Sequence, residues 1–177
     1  GETALSMEGR LPGALKSARY PGLVIILGGT NDITKLRNAQ SIVRNLQNLH
    51  HIALNSTSMA AKGGKAVNTI HMTIPPASTF IDRKNKGRYG DNRLQVNEEM
   101  RKFIRAHNHD MRVLKGEVGS IFLIDLEFLF LPIDSHKSMW NDDLLHFSAD
   151  GYDGIADLVQ KALTVFKIID EKKGKTA

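Results

Sequence analysis

The sequence has 177 residues, 41% hydrophobic and 24% charged, which fits one folded domain with its own core and excludes a disordered chain. Its formal charge is +5, from 24 Lys+Arg against 19 Asp+Glu. It has no cysteine, which rules out a disulfide framework, Cys-ligated zinc and a thiol nucleophile.

Taken in chain order, the first pattern is a weak apolar stripe of Met7, Leu11, Ala14 and Ala18, where Pro12-Gly13 argues against an unbroken helix. Leu23-Val24-Ile25-Ile26-Leu27 follows, a continuous aliphatic run that ends in Gly28-Gly29. Ile42, Leu46, Leu49 and Ala53 then recur at spacings of four and three and share one helix face. Residues 66–74 carry Val67, Ile70, Met72 and Ile74 and stop at Pro75-Pro76. Val96, Met100 and Phe103 predict a helix over residues 91–107, and residues 121–130 read as a third strand. Ile155, Val159, Ala162, Phe166 and Ile169 predict a long C-terminal helix.

Strand runs with little polar alternation belong in a parallel sheet covered on both faces. The alternation of helices and strands predicts a doubly wound, three-layer α/β/α sandwich forming one domain over residues 1–177. Three strands are few for such a sheet, which usually has about five, so the first strands are expected to be missing. No apolar run reaches the ~20 residues of a membrane-spanning helix; the longest strong one, residues 121–132, is interrupted by Asp125 and Glu127.

Ligands of open parallel sheets gather at the carboxyl ends of strands. The first strand ends in Gly28-Gly29-Thr30-Asn31-Asp32. There the carboxamide of Asn31 is placed to donate a hydrogen bond to a developing oxyanion, although the same residues are common in plain turns. Asp143 and His146 lie three apart just before the last helix, close enough for a carboxylate to fix the imidazole's tautomer and support its protonated form. The alternative there is a capped helix start, with Ser148 or Asp150 as the cap, and the two readings are compatible.

Metal binding is the competing chemistry for the seven histidines. His50-His51 and His107-Asn108-His109 are the close groups, and neither has zinc-motif spacing. We read the histidines as surface residues and expect no metal and no cofactor. No phosphate-binding loop is present; Ala61-Lys62-Gly63-Gly64-Lys65 precedes a strand rather than a helix. Two basic runs, residues 83–88 and 171–175, lack interleaved aromatics and any groove-binding motif. They read as a solvated loop and a solvated terminus, so no nucleic-acid partner is expected.

Gly29-Thr30-Asn31-Asp32 after a buried strand and Asp143-Leu144-Leu145-His146 before the last helix resemble the third and fifth conserved blocks of the SGNH (GDSL) hydrolases. His146-Phe147-Ser148-Ala149-Asp150-Gly151-Tyr152 is similar to that family's loop-to-helix passage. Gly1-Glu2-Thr3 with Arg10-Leu11-Pro12 is similar to the second block of thioesterase I and arylesterase relatives. The resemblance implies a flavodoxin-like sandwich and hydrolysis of a small carboxylic ester or thioester through an acyl-enzyme. It implies His146 as the base, Asp143 as its partner, and Asn31 with the Gly1 backbone N–H as oxyanion donors.

It also implies a Gly-Asp-Ser block at the end of a first strand, which this sequence lacks. None of its serines has that setting, so the nucleophile is expected upstream and the chain by itself is expected to be inactive. The alternative is a non-catalytic α/β module that binds a carbohydrate or acyl group. Trp140 and Phe147 flank the candidate pair as acyl-site lining or as core, and the loop over residues 75–92 is placed to cover the site.

Overall fold

Three aliphatic runs pair side by side in the computed structural model, which describes residues 1–18, 22–35, 37–56, 66–76, 88–129 and 134–166. Strands β1 (Leu23–Leu27), β2 (Asn68–Met72) and β3 (Ile121–Ile124) form a parallel sheet in the order β1-β2-β3. Helix α1 (Ala4–Ser17) precedes β1, and the turn α2 (Thr30–Thr34) and helix α3 (Ala39–Asn55) lead into β2. Helices α4 (Arg88–Asn108) and α5 (Met111–Leu114) lead into β3, and α6 (Leu126–Leu129), a 3-10 segment (Asp134–Met139) and α7 (Ala149–Val165) follow.

The strand registers separate the two faces. Val24, Ile26, Thr69, His71, Ile121 and Leu123 share one face by pairing, and it packs on α3 and α4, because His50 of α3 hydrogen-bonds Thr69 and His71. Ile70, Phe122 and Ile124 point the other way, toward α7, where Phe122 stacks on Phe166 with ring centroids 4.3 Å apart. Helix α1 packs against α3. The result is the expected α/β/α layering around a core that includes Ile42, Leu46, Leu49, Ile70, Ile74 and Met100, all 0–1% exposed. Among the described residues no helix is long and apolar enough to cross a membrane.

The structure departs from the sequence reading at three places. Helix α1 runs unbroken through Pro12. Proline inside a helix costs about 3 kcal/mol, but Pro12 is exposed while Ala4 and Leu15 are buried and Met7 and Leu11 pack on the core. Packing of that face offsets the local penalty. The third strand ends at Ile124 rather than at residue 130, because the Asp125 carboxylate accepts the Glu127 N–H (3.2 Å) and the Thr73 hydroxyl (2.9 Å) and turns the chain into α6. Phe130, Ile169, the loop at 61–65 and most of both basic runs lie outside the described residues.

The third departure concerns the histidines. His51 and His109 are exposed, but His50 and His71 are wholly buried. His50 Nδ1 meets Thr69 Oγ1 at 2.8 Å and His50 Nε2 meets His71 Nδ1 at 3.2 Å, a polar chain buried between α3 and β2. The pairing satisfies both His50 nitrogens and His71 Nδ1, while the buried His71 Nε2 has no hydrogen-bond partner among the described residues. Burial, then the neighbouring His71, hold the His50 imidazole well below its ordinary range; burial brings His71 down to about 4.

The unfolded chain therefore takes up protons at these rings near pH 6.5, whereas folded His71 does so only near 4. Between those values the unfolded state binds more protons, so stability falls as pH falls. Unfolding free energies from urea titrations should fall by up to about 1.4 kcal/mol per pH unit between about pH 6.5 and pH 4 from His71 alone. His71→Gln should flatten that slope, and an unchanged slope in the variant would assign the acid sensitivity to other groups.

The carboxyl ends of β2 and β3 are tied by a buried polar network. Asn97, fully buried, accepts the Ile74 N–H and donates to the Ile74 carbonyl, both at 2.9 Å, and also donates to Glu127 at 3.2 Å. Arg101 holds Asp125 in a fork at 2.9 and 3.0 Å and reaches Glu127 as well. Arg93 stands 3.5 Å from the other Glu127 oxygen.

Candidate active site

At the sheet rim beyond β1 the chain must leave a strand and open a helix within two residues. Gly29 does this at φ 100°, a left-handed conformation suited to glycine. A Cβ there would stand 2.6 Å from the Ile74 side chain. The exit places Asn31 on the first turn of α2, at the mouth of the sheet. Asn31 Nδ2 donates to the Glu2 carbonyl at 3.0 Å. Gly1 lies so close that a Cβ on it would overlap the Asn31 carboxamide, so the two expected oxyanion donors are neighbours.

The second cluster is shaped by a small loop rather than a helix. Trp140 and Phe147 form an antiparallel bridge, closed by Asn141 N–H to the His146 carbonyl (2.9 Å) and Leu144 N–H to the Asn141 carbonyl (2.8 Å). Leu144 takes φ 50°, a left-handed conformation that costs an L residue about 1–2 kcal/mol. It lies between Asp143 and His146, where strain commonly collects at functional sites. Ser148 caps α7 by accepting the Gly151 N–H at 3.1 Å, so the cap and the carboxylate–imidazole pair coexist.

Within that loop Asp143 Oδ2 meets His146 Nδ1 at 2.7 Å, and Asp143 Oδ1 accepts the N–H groups of Leu145 and His146, each at 2.9 Å. The His146 ring, then these backbone donors, pull the Asp143 carboxyl down to about 2, so it is ionised at any working pH. With Nδ1 engaged, Nε2 is the ring nitrogen left for proton transfer.

The two clusters meet. Asn31 and His146 line one hollow of about 390 Å³, together with Glu2, Met7, Arg10, Leu27, Gly28, Gly29, Thr30, Leu145, Phe147 and Tyr152. Glu2 and Arg10 pair across it at 2.8 Å. Phe147 reaches the hollow, whereas Trp140, 4% exposed, stacks behind it at 4.7 Å as core. Met7, Arg10 and Tyr152 were not singled out from sequence as lining, because helix α1 and the start of α7 converge here only in three dimensions. Among the described residues no group of three or more His, Asp or Glu side chains gathers to hold a metal ion.

A family model for GDSL-like lipases and acylhydrolases matches residues 1–153. The chain belongs to the GDSL-like lipase/acylhydrolase family. Solved structures share the GDSL fold. A GDSL-like lipase from Bacteroides thetaiotaomicron superposes with a TM-score of 0.68 at 16% identity, over 92% of this chain and 71% of that one. A mutant acetyl esterase with acetate ion gives 0.68 at 18% identity over 96% and 70%. A lipase/acylhydrolase from Enterococcus faecalis gives 0.65 at 20% identity over 92% and 70%. A sequence search of curated proteins finds no match. The GDSL family comprises ester hydrolases, and the hollow lies at the carboxyl end of β1, where open parallel sheets gather their ligands.

Proposed function

We propose that this chain carries the base, its carboxylate partner and two oxyanion donors of a Ser-His-Asp acylhydrolase, and that the serine enters from an upstream segment. The observation that carries the reading is the shared hollow: an amide donor and a carboxylate-held imidazole face the same space. His146 takes the serine proton through Nε2 and returns it to the leaving group, while Asp143 holds the ring and supports its positive charge. The Asn31 side chain and the Gly1 backbone N–H, with the serine's own N–H, receive the oxyanion. The bond broken is a carboxylic ester or thioester, through an acyl-enzyme.

The edge of the sheet supports an upstream strand. The outer edge of β1 has no strand partner among the described residues, and Ile25 at its centre is 45% exposed. Parallel strands normally lie buried on both faces, and an unpaired apolar edge is a docking template. A strand ending in Gly-Asp-Ser, laid along β1, brings its serine to the hollow.

A fluorophosphonate probe tests this on the full-length gene product, which is expected to label at one serine outside residues 1–177. The chain by itself is expected to stay unlabelled and to hydrolyse p-nitrophenyl acetate at the background rate. Joining the upstream Gly-Asp-Ser segment should confer turnover. A full-length protein that resists the probe would instead be a binding module. In the active protein, Asn31→Ala should lower kcat by about 10²–10³ with KM little changed, because the donor acts on charge that exists only in the transition state. A rise in KM alone would make Asn31 a substrate-binding residue.

A further inference from the structure

Asp32 is the next residue after Asn31, and its carboxylate is fully buried on a helix of a single turn. Burying a carboxylate is costly unless hydrogen bonds or charge compensate it. Nothing in α2 itself needs this one: the cap of that turn is Gly29, without a side-chain bond. The compensation comes from far along the chain. Asp32 Oδ2 accepts the Ala4 N–H at 2.8 Å, the first amide of the 14-residue helix α1.

Free amides and a partial positive charge gather at such a helix start. Thr3, the α1 cap, takes the Ser6 N–H at 3.3 Å, so Asp32 satisfies an amide that the local cap leaves open. Arg37 Nε stands 3.8 Å from the other Asp32 oxygen.

Two consecutive side chains thus grip one short segment. Asn31 donates to the Glu2 carbonyl, and Asp32 accepts from the Ala4 amide. Gly1, pressed against the Asn31 carboxamide, directly precedes Glu2 in that gripped segment. Asp32 does not line the hollow.

From this geometry we infer that Asp32 is a positioning residue of the oxyanion hole, holding the Gly1–Glu2 peptide and the Asn31 amide in register through the Ala4 bond. The inference rests on the acylhydrolase reading above. It goes further by assigning the spacing of the two donors to a side chain that never touches substrate.

The distinguishing variant is Asp32→Asn, which keeps a carbonyl oxygen for the Ala4 N–H, beside Asp32→Ala, which removes it. In the full-length protein Asp32→Ala should lower kcat for p-nitrophenyl acetate by about 100-fold, near the loss of an oxyanion donor, with KM within about threefold. Asp32→Asn should retain kcat within about tenfold of the parent. Nuclear magnetic resonance of the 177-residue chain reads the same tie without activity. Asp32→Ala should shift the Asn31 side-chain NH2 pair and speed exchange of the Ala4 amide, while Asp32→Asn leaves both near the parent.

Equal kcat losses in the two variants, a loss confined to KM, or unmoved Asn31 resonances in Asp32→Ala would each overturn the inference. A full-length parent without activity would defeat the acylhydrolase reading instead, and the resonance test would still decide the tie between Asp32 and Ala4.

Discussion

Replacing His146 with alanine should abolish probe labelling and turnover of the full-length, serine-bearing protein, with kcat falling by a factor on the order of 10⁶. The imidazole is the only group beside the hollow that combines a carboxylate on Nδ1 with an open Nε2 among the described residues. Without it the serine has no acceptor for its proton, and what persists is catalysis by the oxyanion donors and binding. The side chain is 65% exposed, so the unfolding midpoint should barely move. That separation of activity from stability is the useful readout. Asp143→Asn should be the milder lesion, on the order of 10⁴ in kcat, because the amide no longer enforces one tautomer. Turnover that survives His146→Ala would sink the assignment.

The largest stability effect is expected at Arg101, far from the chemistry. Its guanidinium, 14% exposed, meets Asp125 and Glu127, whose side chains are 27% and 8% exposed. Burial works against the Asp125 charge, yet Arg101 and Thr73 still draw its carboxyl below the usual range. Arg101→Met removes the cation that bridges the two carboxylates, leaving Glu127 with Arg93 and Asp125 without its ion pair. Breaking a buried pair in this way costs about 3–5 kcal/mol, and urea denaturation at pH 7 should show a lower midpoint at constant slope. Adding Asp125→Asn to Arg101→Met should recover part of the loss, since Glu127 keeps Arg93 and Asn97 as partners while Asp125 loses its ion pair. A loss under about 1 kcal/mol would rank the network with ordinary surface pairs.

The network also explains how the sheet reaches the site. By pinning Ile74 and the residues after Ile124, Asn97, Arg101 and Glu127 fix where the chain departs from β2 and β3. The segment leaving β3 leads on to the loop that carries Asp143 and His146.

Much of this was legible in the residues themselves, for reasons of range. Periodicity reports which face of an element turns inward, so β1, α3, α4 and α7 emerged close to their observed bounds. The Asp143–His146 pair was readable because three residues of loop span it. The Gly29-Thr30-Asn31-Asp32 motif was readable through its resemblance to a family block after an aliphatic strand, since the residues by themselves would equally suit a plain turn.

Tertiary structure alone decided the rest. Periodicity says that a face is buried but not what meets it. The sequence showed seven histidines and could not show that His50 and His71 meet each other across α3 and β2. It set a local cost on Pro12 without the core contacts that outweigh it, and it extended β3 past an aspartate whose partners, Thr73 and Arg101, lie on other elements. The meeting of Asn31 and His146 around one hollow, with Gly1 against the Asn31 carboxamide, is of the same kind: it depends on how the sheet and helices pack, a long-range energy that no local window of residues contains.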